Sequence, residues 1–318
     1  MILTDSRNNQ LLLLLKAVRP RQWVKNLAVF AALIFNGLLF NHQYLFLSLK
    51  SFLVLCLVCS STYLFNDLVD LESDQLHPFK KLRPLASGRL DKNIALLSAI
   101  LSFATALILS ALTSKGLLLM AIFFFLLQFA YTLFLKKIPV IDIITIAGTY
   151  ILRAYTGEIV IGHHLSVWLM LSVVFLALFL ATGKRKSELA LLTSLPKIPI
   201  GKTRVSLTGY KSKLLDIYLS LFATSTLIAY GFYTFSERPL YSGGNYFKGI
   251  FPFILNLEER KWLMISLPFV LYGIMRYLQL IYEYGQGESP ERLLFVDKSL
   301  LLTVIGWGIS VVFAIYIV

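Results

Sequence analysis

Asp67, Asp70 and Asp74 are the residues best suited to chemistry in this chain. At 100° per residue, a helix gathers these three carboxylates within an arc of about 60°. Three acids on one stripe repel each other unless a cation lies among them. Oxygen ligands at a helix end suit Mg²⁺, which keeps several waters and shares the phosphates of a substrate. The stripe therefore reads as half a site, to be completed by a diphosphate. Asn66 orients it and Glu72 points away from it. The plainer alternative is a solvated helix end whose acids are balanced by the bases that follow.

Those bases come at once, in "HPFKKLRPLASGRL", which supplies Lys80, Lys81, Arg83 and Arg89. Arginine grips phosphate through two parallel N–H groups and lysine acts as a point charge. His77 has the chemistry of a ligand or a base, although its place before Pro78 reads first as loop-shaping. Lys25 and Asn26 in "RPRQWVKN" fall in the same layer of charge, with interfacial anchoring beside Trp23 as the plain alternative. In "KKIPVIDIITIAGTYILRAYTGE", Arg153 stands deep in an apolar helix. An arginine there is costly and must face a partner. Asp142 is 11 residues away, about 16 Å along the helix, so Glu158 or a ligand phosphate is the better partner. "GKRKSEL" adds Lys184, Arg185 and Glu188, with Lys184 and Glu188 spaced to share a face.

These residues need elements to hold them, and the composition says which. The chain has 318 residues, 57% hydrophobic and only 15% charged, with mean hydropathy +0.74. Soluble domains carry about a quarter charged residues, so the expectation is an all-α integral membrane protein. Apolar runs of about 20 residues fall at about 23–41, 45–65, 93–113, 116–135, 139–161, 165–183, 214–234, 262–281 and 299–317. They predict about nine transmembrane helices in a single domain, 1–318, with polar segments 66–92 and 184–213 as cytoplasmic loops capping the site. The other long polar segments are 235–261 and 282–298. Lys and Arg concentrate in alternate loops, which places the N-terminus and the charged site inside and the C-terminus outside. The net charge of +13 then reports orientation and an anionic ligand, not nucleic acid. Cys56 and Cys59, without a partner motif, read as buried small hydrophobes.

Asn66-Asp67-x-x-Asp70-x-x-x-Asp74 at the inner end of the second helix resembles the first aspartate-rich motif of the UbiA-type intramembrane prenyltransferase superfamily. The second DxxxD motif of that superfamily is absent, and "GKRKSEL" stands in its place. With "RPRQWVKN", "LRAYTGE" and "GYKSKLLD", the chain is more similar to the decaprenyl-phosphate phosphoribosyltransferase branch, from about Lys16 to Lys298. The resemblance implies a UbiA-like bundle whose central cavity opens to the cytoplasm and sideways to lipid. It implies Mg²⁺ on Asp67, Asp70 and Asp74, phosphoribosyl pyrophosphate as donor and a polyprenyl phosphate as acceptor. Lys25, Asn26, Lys80, Lys81, Arg83, Arg153, Lys184 and Arg185 would bind substrate phosphates. It further implies the plasma (inner) membrane, a role in lipid-linked arabinose supply for cell-envelope glycans, and leaves a homo-oligomer open. Two other readings stay in view: prenyl transfer from a prenyl diphosphate to an aromatic acceptor, and transport of anionic substrates.

Overall fold

The computed structural model describes residues 3–77, 79–194, 204–236, 262–285, 287 and 290–317, with side chains from residue 10 onward. Among these residues all regular structure is helical. The order is α1 (Leu3–Ala17), a 3-10 segment (Pro20–Phe30), α2 (Ala31–Phe35), α3 (His42–Val69), α4 (Leu71–Leu76), α5 (Lys92–Thr113), α6 (Lys115–Leu133), α7 (Ile141–Ile161), α8 (Val167–Thr193), α9 (Ser212–Ser236), α10 (Leu267–Tyr282), α11 (Pro290–Val296) and α12 (Lys298–Tyr316). Seven stretches are long and apolar enough to cross a membrane: α3, α5, α6, α8, α9, Trp262–Tyr282 and α12. Two of the nine expected spans differ in kind. Residues 23–41 form no single α-helix, but a 3-10 run that passes into the short α2. The 139–161 span is present as α7, yet its Asp142, Arg153 and Glu158 set it apart from the apolar helices.

Local chemistry sets the helix starts. Asn41 accepts from the backbone N–H of Gln43 and Tyr44 to open α3. Asp91, Ser114 and Asp297 do the same for α5, α6 and α12; each cap satisfies backbone donors that the first turn leaves unpaired. α3 packs along α5, α8 along α9, and α7 against both α8 and the 3-10 segment. The last contact is so close that a Cβ on Gly157 would meet the Val29 carbonyl oxygen at 2.0 Å. Glycine at 157 thus lets the 3-10 segment lie directly on α7, with Asn26 buried between α3 and Arg153.

Two expected loops are partly helix. α3 runs to Val69, and backbone bonds from Asp70 to Asn66 (2.9 Å) and from Asp74 to Asp70 (2.8 Å) carry its register into α4. α8 continues to Thr193, so 184–193 is helix instead of loop. Its charged residues stay in the bundle because they find partners there. The rest of the expected 184–213 loop at 195–203, and the expected polar segment 235–261 from 237 on, lie outside the described residues. An element with no counterpart in the expectations is α1, at 15 residues too short to span. Its Leu13 and Ala17 pack with Leu64, Leu85, Leu90, Ala95 and Ala99.

Candidate active site

The charged ends of α3, α6 and α8, the start of the 3-10 segment and the middle of α7 surround one cavity of about 250 Å³. Among the described residues, eight Lys and Arg side chains line it: Arg19, Lys25, Lys80, Arg83, Lys136, Arg153, Lys184 and Arg204. Only four acidic ones do: Asp70, Asp74, Glu188 and Glu291. In a poorly hydrated site, that excess favours an anionic ligand.

The acidic stripe holds together across the α3–α4 junction. Asp67 ends α3, Asp70 forms the junction and Asp74 sits on α4, while Glu72 is exposed. Each carboxylate is met by a base. Arg19 and Arg83 both reach Asp67 Oδ1, the latter at 3.1 Å. The same Arg83 Nη1 reaches Asp74 Oδ2 at 2.5 Å, and Lys136 pairs with Asp70. Arg19 reaches its place from a left-handed backbone, φ 56°, which is unusual before a proline. Burial raises the Asp74 carboxyl above its ordinary value, against the pull of Arg83 and Lys80. Asn66 accepts from the Thr132 hydroxyl at 3.3 Å.

This set bears on Mg²⁺ in two ways. The donors are all carboxylate oxygens, and Asp67 and Asp74 converge on a single Arg83 nitrogen, so one positive centre already lies between them. Among the described residues, however, no three His, Cys, Asp or Glu side chains are gathered to hold an ion by themselves. The residues therefore fit a half-site of the kind that relies on phosphate oxygens for the remaining ligands.

Arg153 and Lys184, elsewhere in the lining, are held differently. Arg153 is 2% exposed. Its Nε donates to Asn26 Oδ1 at 2.8 Å, its Nη1 to the Thr149 carbonyl at 2.5 Å, and its Nη2 to Cys59 sulfur at 3.6 Å. The guanidinium lies 4.9 Å from the Phe124 ring centroid and 5.4 Å from that of Tyr150. Neither expected carboxylate partner is used. Glu158 binds His164 and the Leu165 N–H, and Asp142 binds Arg185 at 2.7 Å. Lys184 also lines the cavity with no ion pair among the described residues.

Of the expected phosphate-binding residues, Lys25, Lys80, Arg83, Arg153 and Lys184 line the cavity. Lys25 pairs with Glu291 at 3.2 Å and Lys80 with Glu188 at 2.9 Å. Three others differ from expectation. Lys81 is exposed and outside the lining, because the turn at Lys80–Leu82 points adjacent side chains apart. Arg185 is fully buried and committed to Asp142, to Glu188 at 2.6 Å and to the Tyr131 hydroxyl at 3.0 Å. Asp142 is further satisfied by Ser206 (2.9 Å) and Tyr210 (2.6 Å). Arg185 is thus a strut between α7, α8 and the 204–210 segment. Asn26 is fully buried and supports Arg153 from behind. Cys56 and Cys59 are free and buried, as expected.

Sequence reasoning assigned no site role to Arg19, Lys136, Glu188, Arg204 or Glu291. Arg19 stood with Arg21, Lys25 and Asn26 in one layer of charge, Lys136 only as inner-loop charge, and Glu188 only for sharing a face with Lys184. Arg204 is held above its ordinary value, since Tyr131, Glu188 and Asp142 outweigh burial. For Glu291, burial raises the carboxyl but Lys25 and Lys184 outweigh it, and the group ends below its ordinary value.

An all-helical bundle with membrane-length helices and a cationic cavity beside an aspartate stripe defines an intramembrane protein that handles anionic substrates. The UbiA prenyltransferase family model matches residues 27–297, and the chain belongs to that family. It is 34% identical over 309 residues to a decaprenyl-phosphate phosphoribosyltransferase from Mycolicibacterium smegmatis, covering 95% of this chain and 92% of that one. The similarity to the protein of the same name from Corynebacterium glutamicum is 32% over 309 residues, covering 96% and 87%. Among solved structures, a UbiA homolog from Archaeoglobus fulgidus bound to GPP and Mg²⁺ aligns with TM-score 0.65 at 19% identity, over 96% of this chain and 100% of that one. At that identity the likeness speaks for the fold.

Proposed function

We propose that the protein transfers 5-phosphoribose from phosphoribosyl pyrophosphate to a polyprenyl phosphate and releases pyrophosphate. The relatives at 32–34% identity over nearly the whole chain are named decaprenyl-phosphate phosphoribosyltransferase, which supports the phosphoribosyl group and the lipid-phosphate acceptor. The observation in the cavity that carries the reading is Arg153, a buried guanidinium whose partners among the described residues are all neutral, lining the same cavity as Lys184, Asp70 and Asp74. A buried unpaired charge is strongly unfavourable, so this part of the lining suits an incoming phosphate.

In this reading Asp67, Asp70 and Asp74 would hold Mg²⁺, and Asn66 orients the stripe. When bound, Mg²⁺ would neutralise charge gathering on the leaving group. Lys80, Arg83, Arg19 and Lys136 exchange aspartate oxygens for phosphate oxygens as the donor enters. Arg153, Lys184 and Lys25 hold phosphate elsewhere in the lining, and Asn26 keeps Arg153 aimed. The C1–O bond to pyrophosphate breaks as a lipid phosphate oxygen bonds to C1. That oxygen is already anionic at neutral pH, so no side chain need take a proton. The ribose gains oxocarbenium-like character on the way, and the fixed cations stabilise the departing charge.

We further read 1–318 as one transmembrane domain of nine passes, with the 3-10 segment plus α2, together about 30 Å long, and α7 joining the seven apolar spans. The Lys and Arg distribution supports a cytoplasmic N-terminus and cavity in the plasma membrane. A lateral opening admits the polyprenyl tail. Purified protein given both substrates is expected to form lipid-linked phosphoribose, to stop on chelation and to recover with Mg²⁺. Absence of that lipid product in the presence of Mg²⁺ would sink the reading.

A further inference from the structure

His77 is buried at 1% exposure at the end of α4, and it is one of the residues that line the cavity, with Asp74, Lys80 and Arg83. Its two nitrogens have unlike surroundings. Nδ1 faces the backbone N–H groups of Phe79 and Lys80, at 3.3 and 3.4 Å, and so must accept. That leaves the ring proton on Nε2. Nε2 is buried and has no hydrogen-bond partner among the described residues. A buried donor left unsatisfied is costly, and here it adjoins a cavity whose cations draw anions.

We propose that His77 binds substrate phosphate, donating Nε2–H to a phosphate oxygen while Nδ1 braces the loop. The proposal rests on the cavity holding phosphorylated substrates. The oxygen belongs either to the donor diphosphate or to the lipid phosphate. The loop-brace and phosphate-donor roles use different ring atoms, so two substitutions separate them. In His77→Asn the short side-chain oxygen can still accept from the loop N–H groups, but nothing reaches the Nε2 position. In His77→Gln an amide N–H reaches that position and the brace is lost.

The test is calorimetric titration of the full chain in detergent micelles with two probes, pyrophosphate plus Mg²⁺ and a polyprenyl phosphate. His77→Asn is expected to weaken one probe about tenfold or more, as for loss of a hydrogen bond to a charged group, while His77→Gln stays within about threefold of the parent. The probe affected identifies the phosphate. Unchanged affinity for both probes in His77→Asn, or equal weakening of both by the two variants, overturns the proposal and leaves His77 a loop brace. If His77→Asn proves unstable on thermal unfolding, His77→Gln decides: retained affinity supports the donor role, and lost affinity overturns it. Because binding is read without turnover, a parent that binds both probes but transfers no ribose would defeat the proposed reaction and leave this assignment standing.

Discussion

Along the acidic stripe, of which Asp70 and Asp74 line the cavity and Asp67 does not, every aspartate already touches a base: Asp67 meets Arg19 and Arg83, Asp74 meets Arg83, and Asp70 meets Lys136. Elsewhere in the lining, Arg153 is buried with only neutral partners and Lys184 has no ion pair among the described residues. Both groups are rich in charge, yet one is internally balanced and the other is not. The balanced group can let its bases go to a ligand only if the ligand repays the aspartates, as a metal-bound diphosphate does. The unbalanced group gains by any anion that arrives. On the proposed reading, these two groups of charge suit a substrate that brings both a cation and several phosphates.

The contrast breaks most sharply at Asp70, the junction between α3 and α4. Asp70→Asn is expected to lower kcat/KM by about 10³-fold, read as initial rates across a Mg²⁺ series; full activity would refute its metal role. In the other group, Arg153→Gln is expected to cost about 10²-fold in kcat/KM. It should leave thermal stability unchanged or raised, because it removes a buried charge that lacks a counterion. A parallel loss of stability would show that Arg153 is a structural member. A smaller effect sharpens the role of the Lys80 loop. Lys80→Ala should raise the donor KM about tenfold, whereas exposed Lys81→Ala should change it less than about twofold.

The smallest effect is in acid. The Glu291 carboxyl lies below its ordinary value, with Lys25 and Lys184 outweighing burial. A depressed carboxyl stabilises the fold above about pH 4.5, and that contribution is lost as pH falls through its lower folded value. Glu291→Gln should therefore be less stable at neutral pH and show a shallower loss of stability in acid, as measured by thermal unfolding from pH 7 to 3.

The acidic stripe and the membrane class were legible because both depend on local pattern: helical spacing for Asp67, Asp70 and Asp74, and run length for the spans. The i to i+4 backbone bonds through Asp70 carry the helical register across the junction, so that Asp67 and Asp74 meet at Arg83 while Asp70 goes to Lys136. What could not be read is which neighbour a charge finds. Lys184 and Arg185 are adjacent and equally basic, yet 100° of rotation aims one at the cavity and the other at Asp142. Lys136 and Arg204 lie 66 and 73 residues from the partners they hold, Asp70 and Tyr131. The 3-10 run at Pro20–Phe30 was also hidden, since it carries Arg21, Gln22, Lys25 and Asn26 among its apolar residues and no local spacing marks its close fit against Gly157.

The most direct test offers both donor and acceptor pairs at once. Purified protein with Mg²⁺ receives phosphoribosyl pyrophosphate, polyprenyl phosphate, a prenyl diphosphate and an aromatic acid, and the lipid products are resolved by mass. The account predicts polyprenyl-phosphoryl-5-phosphoribose with equimolar pyrophosphate, and no prenylated ring. A prenylated aromatic product without lipid-linked ribose would contradict it.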